Sequence, residues 1–378
     1  MTKVISSASA KKVDSSFSPE GTGSETAKNG QIENGQIKNG QTMSAVSQDL
    51  AQDKTRLGGY AYQIVRKQSQ VIAKLRSPVL ADNDPEDLHQ MRIGTRRLAA
   101  AVLLFEDAIS ITSKKGKPKS AQELAKAIKG LTKVLGGVRD LDVMQQWFAH
   151  ALANDKNAKF SKKETKIIKS LLKTIRKRRK KRFAKLKETL QRDRTKKLIA
   201  QFKKWTKQPI FTDAAQSSAA QAAALKIIEP IASLFRHGAW EMASRKRGRS
   251  TQLLPISDLT LEQLNQQLEQ NGEQLHELRK QIKNVRYQTE FFRGLYDITY
   301  AAQVREFRTL QKILGGLQDQ IVISQFLADE IGADWAKKLP TIAADFQNSR
   351  LALWQQWQPH QEKYLTLRSR LPNTESAA

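Results

Sequence analysis

The sequence contains no cysteine, which excludes disulfides, thiolate nucleophiles and metal sites with cysteine ligands. Long apolar runs are missing as well: Leu98–Phe105 is among the longest, and it is far shorter than the ~18 residues that span a bilayer. The N-terminal residues lack the hydrophobic segment of a secretory signal. We therefore expect a soluble cytoplasmic protein without a membrane span.

Acidic residues are scarce relative to basic ones. The 378 residues include 37 Asp and Glu against 65 Lys and Arg, which gives a formal net charge of +28. A charge excess of this size predicts an anionic partner, namely nucleic acid, an anionic membrane or a phosphate polymer.

Glycine and proline are also sparse once the N-terminal segment is passed, and no segment alternates apolar and polar residues as a strand does. Helix starts are well marked instead. Asp84 precedes a proline and two acidic residues, and Ser161 with Glu164 and Thr260 with Gln263 each fit a capping box. We predict an all-α protein of long helices joined by short connections.

Residues 1–55 differ in composition from the rest of the chain. They are rich in Ser, Gly, Asn, Lys and Gln, and Asn-Gly-Gln recurs at 29–31, 34–36 and 39–41. Such a segment buries too little apolar area to offset the entropy of ordering, so we expect a disordered tail. We place the folded domain at 56–366 and a second tail at 367–378.

Two pairs of sequence blocks resemble each other. Residues 88–109 match 275–296 at an offset of 187, and residues 131–148 match 310–327 at an offset of 179, with 8 of 18 positions identical in the second pair. The two pairs occur in the same order at nearly the same spacing. They predict an internal duplication, with a first half at about 57–207 and a second at about 214–366.

The first pair of blocks carries His-x-x-Arg-x-x-x-(Arg/Lys). Residues i, i+3 and i+7 lie within about 60° of one another on a helix, so each block predicts a row of basic side chains on one face. The alternative is that each row is merely the solvated face of an amphipathic helix. Its recurrence in both halves favours a binding role. The rows consist of His89, Arg92 and Arg96, and of His276, Arg279, Lys283 and Arg286.

The second pair of blocks contains Gly136-Gly137 and Gly315-Gly316 within otherwise helical sequence. Each glycine costs about 1 kcal/mol in a helix interior relative to alanine. Either a helix kinks there or one helix ends and another begins, and the sequence does not decide between these two.

The blocks LHQMRIGTRRL and LHELRKQIKNVRY, each followed by an LGG(V/L)xD segment, resemble the signature blocks of the CHAD domain, the conserved-histidine α-helical domain. The resemblance implies two pseudo-symmetric four-helix bundles that face each other across a basic cleft. It also implies that inorganic polyphosphate binds in this cleft and, as in several members, association with polyphosphate granules. The implied binding residues are His89, Arg92, Arg96, Lys133, His276, Arg279, Lys283, Arg286 and Lys312.

The first half departs from this pattern at one place. Ala99 and Ala100 stand where the second half has Arg286 and Tyr287. We therefore expect the first half to hold phosphate less tightly there, with Arg97 as a candidate replacement and a further member of the predicted site.

The densest charge lies in residues 162–207, which contain 21 Lys and Arg and 3 Asp and Glu, a net charge of +18. A helix distributes such a run around its circumference, so only part of it can face a cleft. Lys173, Arg176 and Lys180 are candidates, and we include Arg176 in the predicted site. The alternatives are a solvated surface, a longer track for a polyanion and adventitious binding of nucleic acid.

Motifs for phosphate chemistry are missing. The sequence has neither GxxxxGK[ST] nor a GxGxxG after a strand, and no grouping of carboxylates or of Ser, His and Asp resembles a hydrolase site. We expect a protein that is not an enzyme and that uses no cofactor and no metal. Two alternatives remain: a helical protein that binds nucleic acid non-specifically, and hydrolysis of polyphosphate or metal binding by the histidines.

Overall fold

The computed structural model describes residues 42–113, 116–153, 159–247 and 250–368. Twelve α-helices make up most of these residues, which confirms the all-α prediction. They are α1 (Thr42–Gln52), α2 (Leu57–Ala81), α3 (Pro85–Leu104), α4 (Ala121–Ala153), α5 (Lys162–Gln191), α6 (Asp193–Lys207), α7 (Ala219–Phe235), α8 (Leu261–Gln270), α9 (Gly272–Phe291), α10 (Ile298–Ile331), α11 (Trp335–Lys338) and α12 (Pro340–Arg368).

Short strands occur in the connections, where the sequence predicts none. An antiparallel three-stranded sheet has the order β2-β1-β3, and β4 pairs with β5 as a hairpin. Strands of two to four residues are too short for an alternating pattern to show in the sequence. They are β1 (Ile109–Thr112), β2 (Pro118–Lys119), β3 (Ile210–Phe211), β4 (Ser244–Arg247) and β5 (Ser250–Leu253).

The predicted helix starts are confirmed. The Asp84 side chain accepts a hydrogen bond from the backbone N–H of Glu86 at the start of α3. Reciprocal capping boxes form at Ser161 for α5 and at Thr260 for α8. These side chains satisfy backbone N–H groups that have no partner within the helix.

The predicted disordered tail is wrong in its boundary, because residues 42–52 form α1. Leu50 and Ala51 are buried against α2. The turn between the two helices is tight, since a Cβ on Gly59 would lie 2.1 Å from the carbonyl oxygen of Asp53. The rest of the tail, residues 1–41, and residues 369–378 of the C-terminal tail lie outside the described residues.

Each predicted half is a series of helices that pack side by side. In the first predicted half, α2 packs on α3, α3 on α4 and α4 on α5; in the second, α9 packs on α7 and α10, and α10 packs on α12. In addition α3 packs on α9, which joins the two halves. The corresponding helices thus have corresponding neighbours, and a common origin of the halves stays a prediction.

Two of the three hydrophobic clusters among the described residues contain side chains from both halves. Phe292 from the second half is fully buried in the first core, where its ring stacks on Tyr60 at 5.9 Å and meets Phe105 edge-on at 5.7 Å. A separate cluster combines Phe148 of α4 and Leu171 of α5 with side chains of α10 and α12. Burial of these large side chains fixes α3 relative to α9.

None of the helices in the described residues is both long enough and apolar enough to span a bilayer.

Candidate functional site

The two predicted rows lie on α3 and α9. Their apolar partners Leu88, Met91, Leu278 and Ile282 are buried in the core, which turns the opposite side of each helix outward. The six side chains at matching positions are all half-buried: His89, Arg92, Arg96, His276, Arg279 and Lys283.

The structure brings the two rows together. Burial lowers the pKa of Arg96, and Arg92, Arg286 and Arg279 lie close enough for their charges to lower it further. The same holds for Lys283, whose charged neighbours are Arg96, Arg279 and Arg92. We call Arg92, Arg96, Arg279 and Lys283 the cationic cluster.

The cationic cluster is poorly neutralised. The Nε atoms of Arg92 and Arg279 are buried without a hydrogen-bond partner. Asp140 acts electrostatically on Arg92, and Asp319 on Arg279, so that in the described part of the chain two carboxyls face four cations. The cluster therefore retains capacity to bind an anion.

Lys283 reports this repulsion most directly. Burial, and then the charges of Arg96 and Arg279, lower its pKa from 10.5 to about 8. The ammonium group is destabilised in the folded protein because it loses water and faces like charges.

Replacing Lys283 by methionine is expected to raise the free energy of unfolding at pH 7, by up to about 3 kcal/mol. Below pH 8 both states are protonated and the folded state carries the full penalty. Between pH 8 and 10.5 the unfolded state binds more protons, so wild-type stability rises with pH and the gain from the variant shrinks. Urea denaturation at several pH values measures both effects.

Lys280, which pairs with Glu277 on the same helix, is the control. Lys280→Met should give no such pH dependence of stability. A stability gain from Lys283→Met that does not vary with pH would contradict the lowered pKa of Lys283.

The two histidines have different partners at equivalent positions. His276 Nδ1 lies 2.9 Å from Gln318 Oε1. His89 Nδ1 is buried without a partner, and its pKa is lowered by burial and by the nearby Arg139. Arg139 and Gln318 occupy matching positions of the second pair of blocks. Sequence reasoning missed both, although the block alignment places each beside the motif glycines.

A buried carboxylate holds several arginines at the edge of the cationic cluster. The Glu290 side chain is 3% exposed and pairs with Arg97 at 3.1 Å, Arg286 at 2.7 Å and Arg308 at 2.6 Å. The guanidinium groups of Arg286 and Arg96 lie over the Tyr287 ring, at 4.5 and 5.3 Å from its centroid. Arg97 and Arg286, both predicted to bind polyphosphate, are thus already engaged with protein groups.

The Gly-Gly pairs lie inside continuous helices, so the alternative that one helix ends there and another begins is wrong, and a kink at these positions stays a prediction. α4 runs through Gly136-Gly137 and α10 through Gly315-Gly316. A Cβ on Gly136 would lie 3.2 Å from Nε of Arg92. The missing side chain allows the Arg92 guanidinium to pack against α4.

Three other predicted residues are exposed. Lys133 on α4 and Lys312 on α10 each lie two helical turns before the aspartates Asp140 and Asp319, on the same side of their helices. Arg176 is exposed on α5 and the structure does not bring it to the cationic cluster.

The basic residues of α5 that contact other elements of the fold are different ones. Arg179 donates to both oxygens of Asp82 at 2.7 Å and to Asp142 at 2.5 Å. Arg178 pairs with Glu330 of α10, and Arg182 packs near Gly137. In a run of seven basic residues only the helical phase distinguishes these arginines from their neighbours, and the run alone does not reveal it.

Within the described ranges no group of three or more His, Asp and Glu side chains is placed to hold a metal ion. The polar groups at the candidate site are mainly guanidinium, ammonium and imidazole groups, which are ligands for anions.

Comparisons with known proteins agree with this architecture. The CHAD-domain structure from the plant Ricinus communis is 21% identical, covers 82% of this chain and 92% of its own, and superposes with a TM-score of 0.52. PptA from Streptomyces chartreusis is 15% identical, with coverages of 80% and 99% and a TM-score of 0.53. No curated protein sequence matches significantly. The family model of the CHAD domain matches residues 63–328, and the chain therefore belongs to the CHAD domain family.

Proposed function

We propose that the protein binds inorganic polyphosphate through the cationic cluster, without chemical turnover. The observation that carries this proposal is the convergence of four weakly neutralised cations from α3 and α9, with the pKa of Lys283 lowered to about 8. Each row rises roughly 10 Å along its helix from i to i+7. A row of that length matches several consecutive units of a phosphate chain better than a single small anion.

The proposed mechanism is electrostatic. Each arginine can contact two phosphate oxygens at once, whereas Lys283 contributes a point charge. The bound anion relieves the repulsion among the cations and raises the pKa of Lys283, so that the protein takes up protons on binding near pH 8. His89 can donate to phosphate from a ring nitrogen, and Lys133 and Lys312 extend the positive surface along α4 and α10.

Arg97 and Arg286 have an indirect part in this proposal. Glu290 holds them beside the cluster, so they shape its rim while the four cluster cations contact the polymer. Association with polyphosphate granules in the cytoplasm would follow from such binding.

Thermal melting with a series of polyphosphate lengths tests the proposal. We expect long chains to stabilise the protein by about 2.7 kcal/mol at a hundredfold excess over Kd, which corresponds to an increase in Tm of about 4 °C for a folded region of this length. ATP and duplex DNA at equal phosphate concentration serve as controls. A shift with DNA that exceeds the shift with polyphosphate and depends on the cationic cluster, or an equal shift with ATP, would contradict polyphosphate as the ligand of the cluster. Release of phosphate that requires His89 would contradict a purely binding role.

A further inference from the structure

The outer side of α5 carries six lysines in one line. They are spaced by three or four residues, which places them within an arc of about 80° over a rise of roughly 27 Å. All six are exposed, and the α5 cations that form ion pairs in the described part of the chain are arginines instead. We call them the lysine stripe: Lys162, Lys166, Lys169, Lys173, Lys177 and Lys180.

The lysine stripe faces away from the cationic cluster. Leu171 and Ile175 on the other side of α5 are buried between the halves, and Arg182 packs near Gly137 of α4. Arg182 is nine residues after Lys173 and therefore about 180° away around the helix. One polymer chain in the cluster cannot reach the lysine stripe without passing around α5.

This arrangement opposes the stability of the helix. Like charges three or four residues apart repel, as in Lys162 with Lys166 and Lys169 with Lys173. Lys162 also lies in the first turn, where the helix dipole disfavours a cation. An anion along the stripe would remove both effects.

We propose that the lysine stripe binds the phosphate backbone of duplex nucleic acid, without sequence preference. Lysines offer point charges rather than the forked donors that read base edges. Residues 161–182 contain no aromatic side chain, so the bases of a single strand have nothing to stack on.

A rigid polyanion suits this surface better than a flexible one. The stripe contacts its ligand from one side only, so a flexible chain would lose conformational entropy without being enclosed. A duplex presents fixed rows of phosphates, and one turn of about 34–36 Å is longer than the stripe. This proposal goes beyond polyphosphate binding: it concerns another ligand on another face, and both polyanions can bind at once.

The test replaces Lys166, Lys169, Lys173 and Lys177 with glutamine in the full-length chain. The probe is a labelled mixed-sequence duplex of about 20 base pairs, two helical turns. We expect the salt dependence, the slope of log K against log salt, to decrease in magnitude by about 3.6, because each lost phosphate contact removes about 0.9. Duplex should also remain bound to the wild-type protein at saturating polyphosphate.

Two matched variants make the result decisive. Glutamine at the exposed Lys117, Lys119, Lys126 and Lys337 gives the same change in net charge away from α5, and glutamine at the four cluster positions removes the other site. Duplex affinity should survive in both. The proposal would be overturned if the charge-matched variant lost as much duplex affinity as the stripe variant, or if only the cluster variant lost duplex affinity. It would also be overturned if the stripe variant lost affinity for polyphosphate and kept its affinity for duplex. Failure of the proposed polyphosphate site is distinguishable from failure of this proposal. In that case the cluster variant would keep its polyphosphate affinity, while the stripe variant would still lose duplex affinity.

Discussion

Replacing Arg92, Arg96, Arg279 and Lys283 with glutamine is expected to lower the affinity for long-chain polyphosphate on the order of 10³-fold or more, since each hydrogen bond to a charged group contributes about 1.5–3 kcal/mol. The four cations come from two helices, α3 and α9, that are far apart in the sequence. In the folded protein they lie close enough for their charges to repel one another. Isothermal titration with chains of defined length measures the loss.

The same four substitutions should stabilise the empty protein, because they remove repulsion that the folded state carries. A lower affinity with an unchanged or higher Tm would distinguish loss of the site from loss of the fold. The variant with glutamine at Lys117, Lys119, Lys126 and Lys337 controls for net charge and should bind nearly as the wild type does. If both quartets weaken binding equally, the general charge of the protein accounts for binding and the cluster does not.

The second large effect is expected at Glu290. Glu290→Gln keeps the shape of the side chain but leaves Arg97, Arg286 and Arg308 without their shared carboxylate. Breaking a buried ion pair in this way costs about 3–5 kcal/mol. We expect a loss of this size in the free energy of unfolding measured with urea.

Glu188→Gln provides the matched comparison. Glu188 pairs with Arg192 four residues away, and both side chains are 61% exposed. Exposed pairs of this kind contribute about 0.3–0.5 kcal/mol, so this variant should be nearly as stable as the wild type. Polyphosphate should restore more stability to Glu290→Gln than to the wild type, because freed arginines gain phosphate partners. Similar losses in the two glutamate variants would show that Glu290 does not organise the site.

Local features of this fold follow from the sequence. Asp84, Ser161 and Thr260 mark helix starts through chemistry that acts within three residues, and the structure places all three at caps. The rows on α3 and α9 depend on a helical period that a single segment reveals. The family resemblance also rests on such short blocks.

Features that depend on partners far apart in the chain do not follow from the sequence. Nothing near Glu290 indicates that Arg97, 193 residues earlier, will pair with it. The packing of Arg92 against Gly136 likewise requires that α3 and α4 be placed first. The short strands and α1 escape prediction for a related reason, since their stability comes from what they pack against rather than from their own composition.

The burial of Phe292 among first-half side chains limits how this protein can be divided. If the chain were cut between α6 and α7, the first piece would have an unfilled cavity beside Tyr60 and Phe105. The second piece would expose the Phe292 ring to solvent. Neither predicted half is therefore expected to fold as a self-sufficient module, although the sequence predicts a repeat. Recombination between related proteins would therefore have to transfer both halves together, so that Phe292 and the pocket around it stay matched.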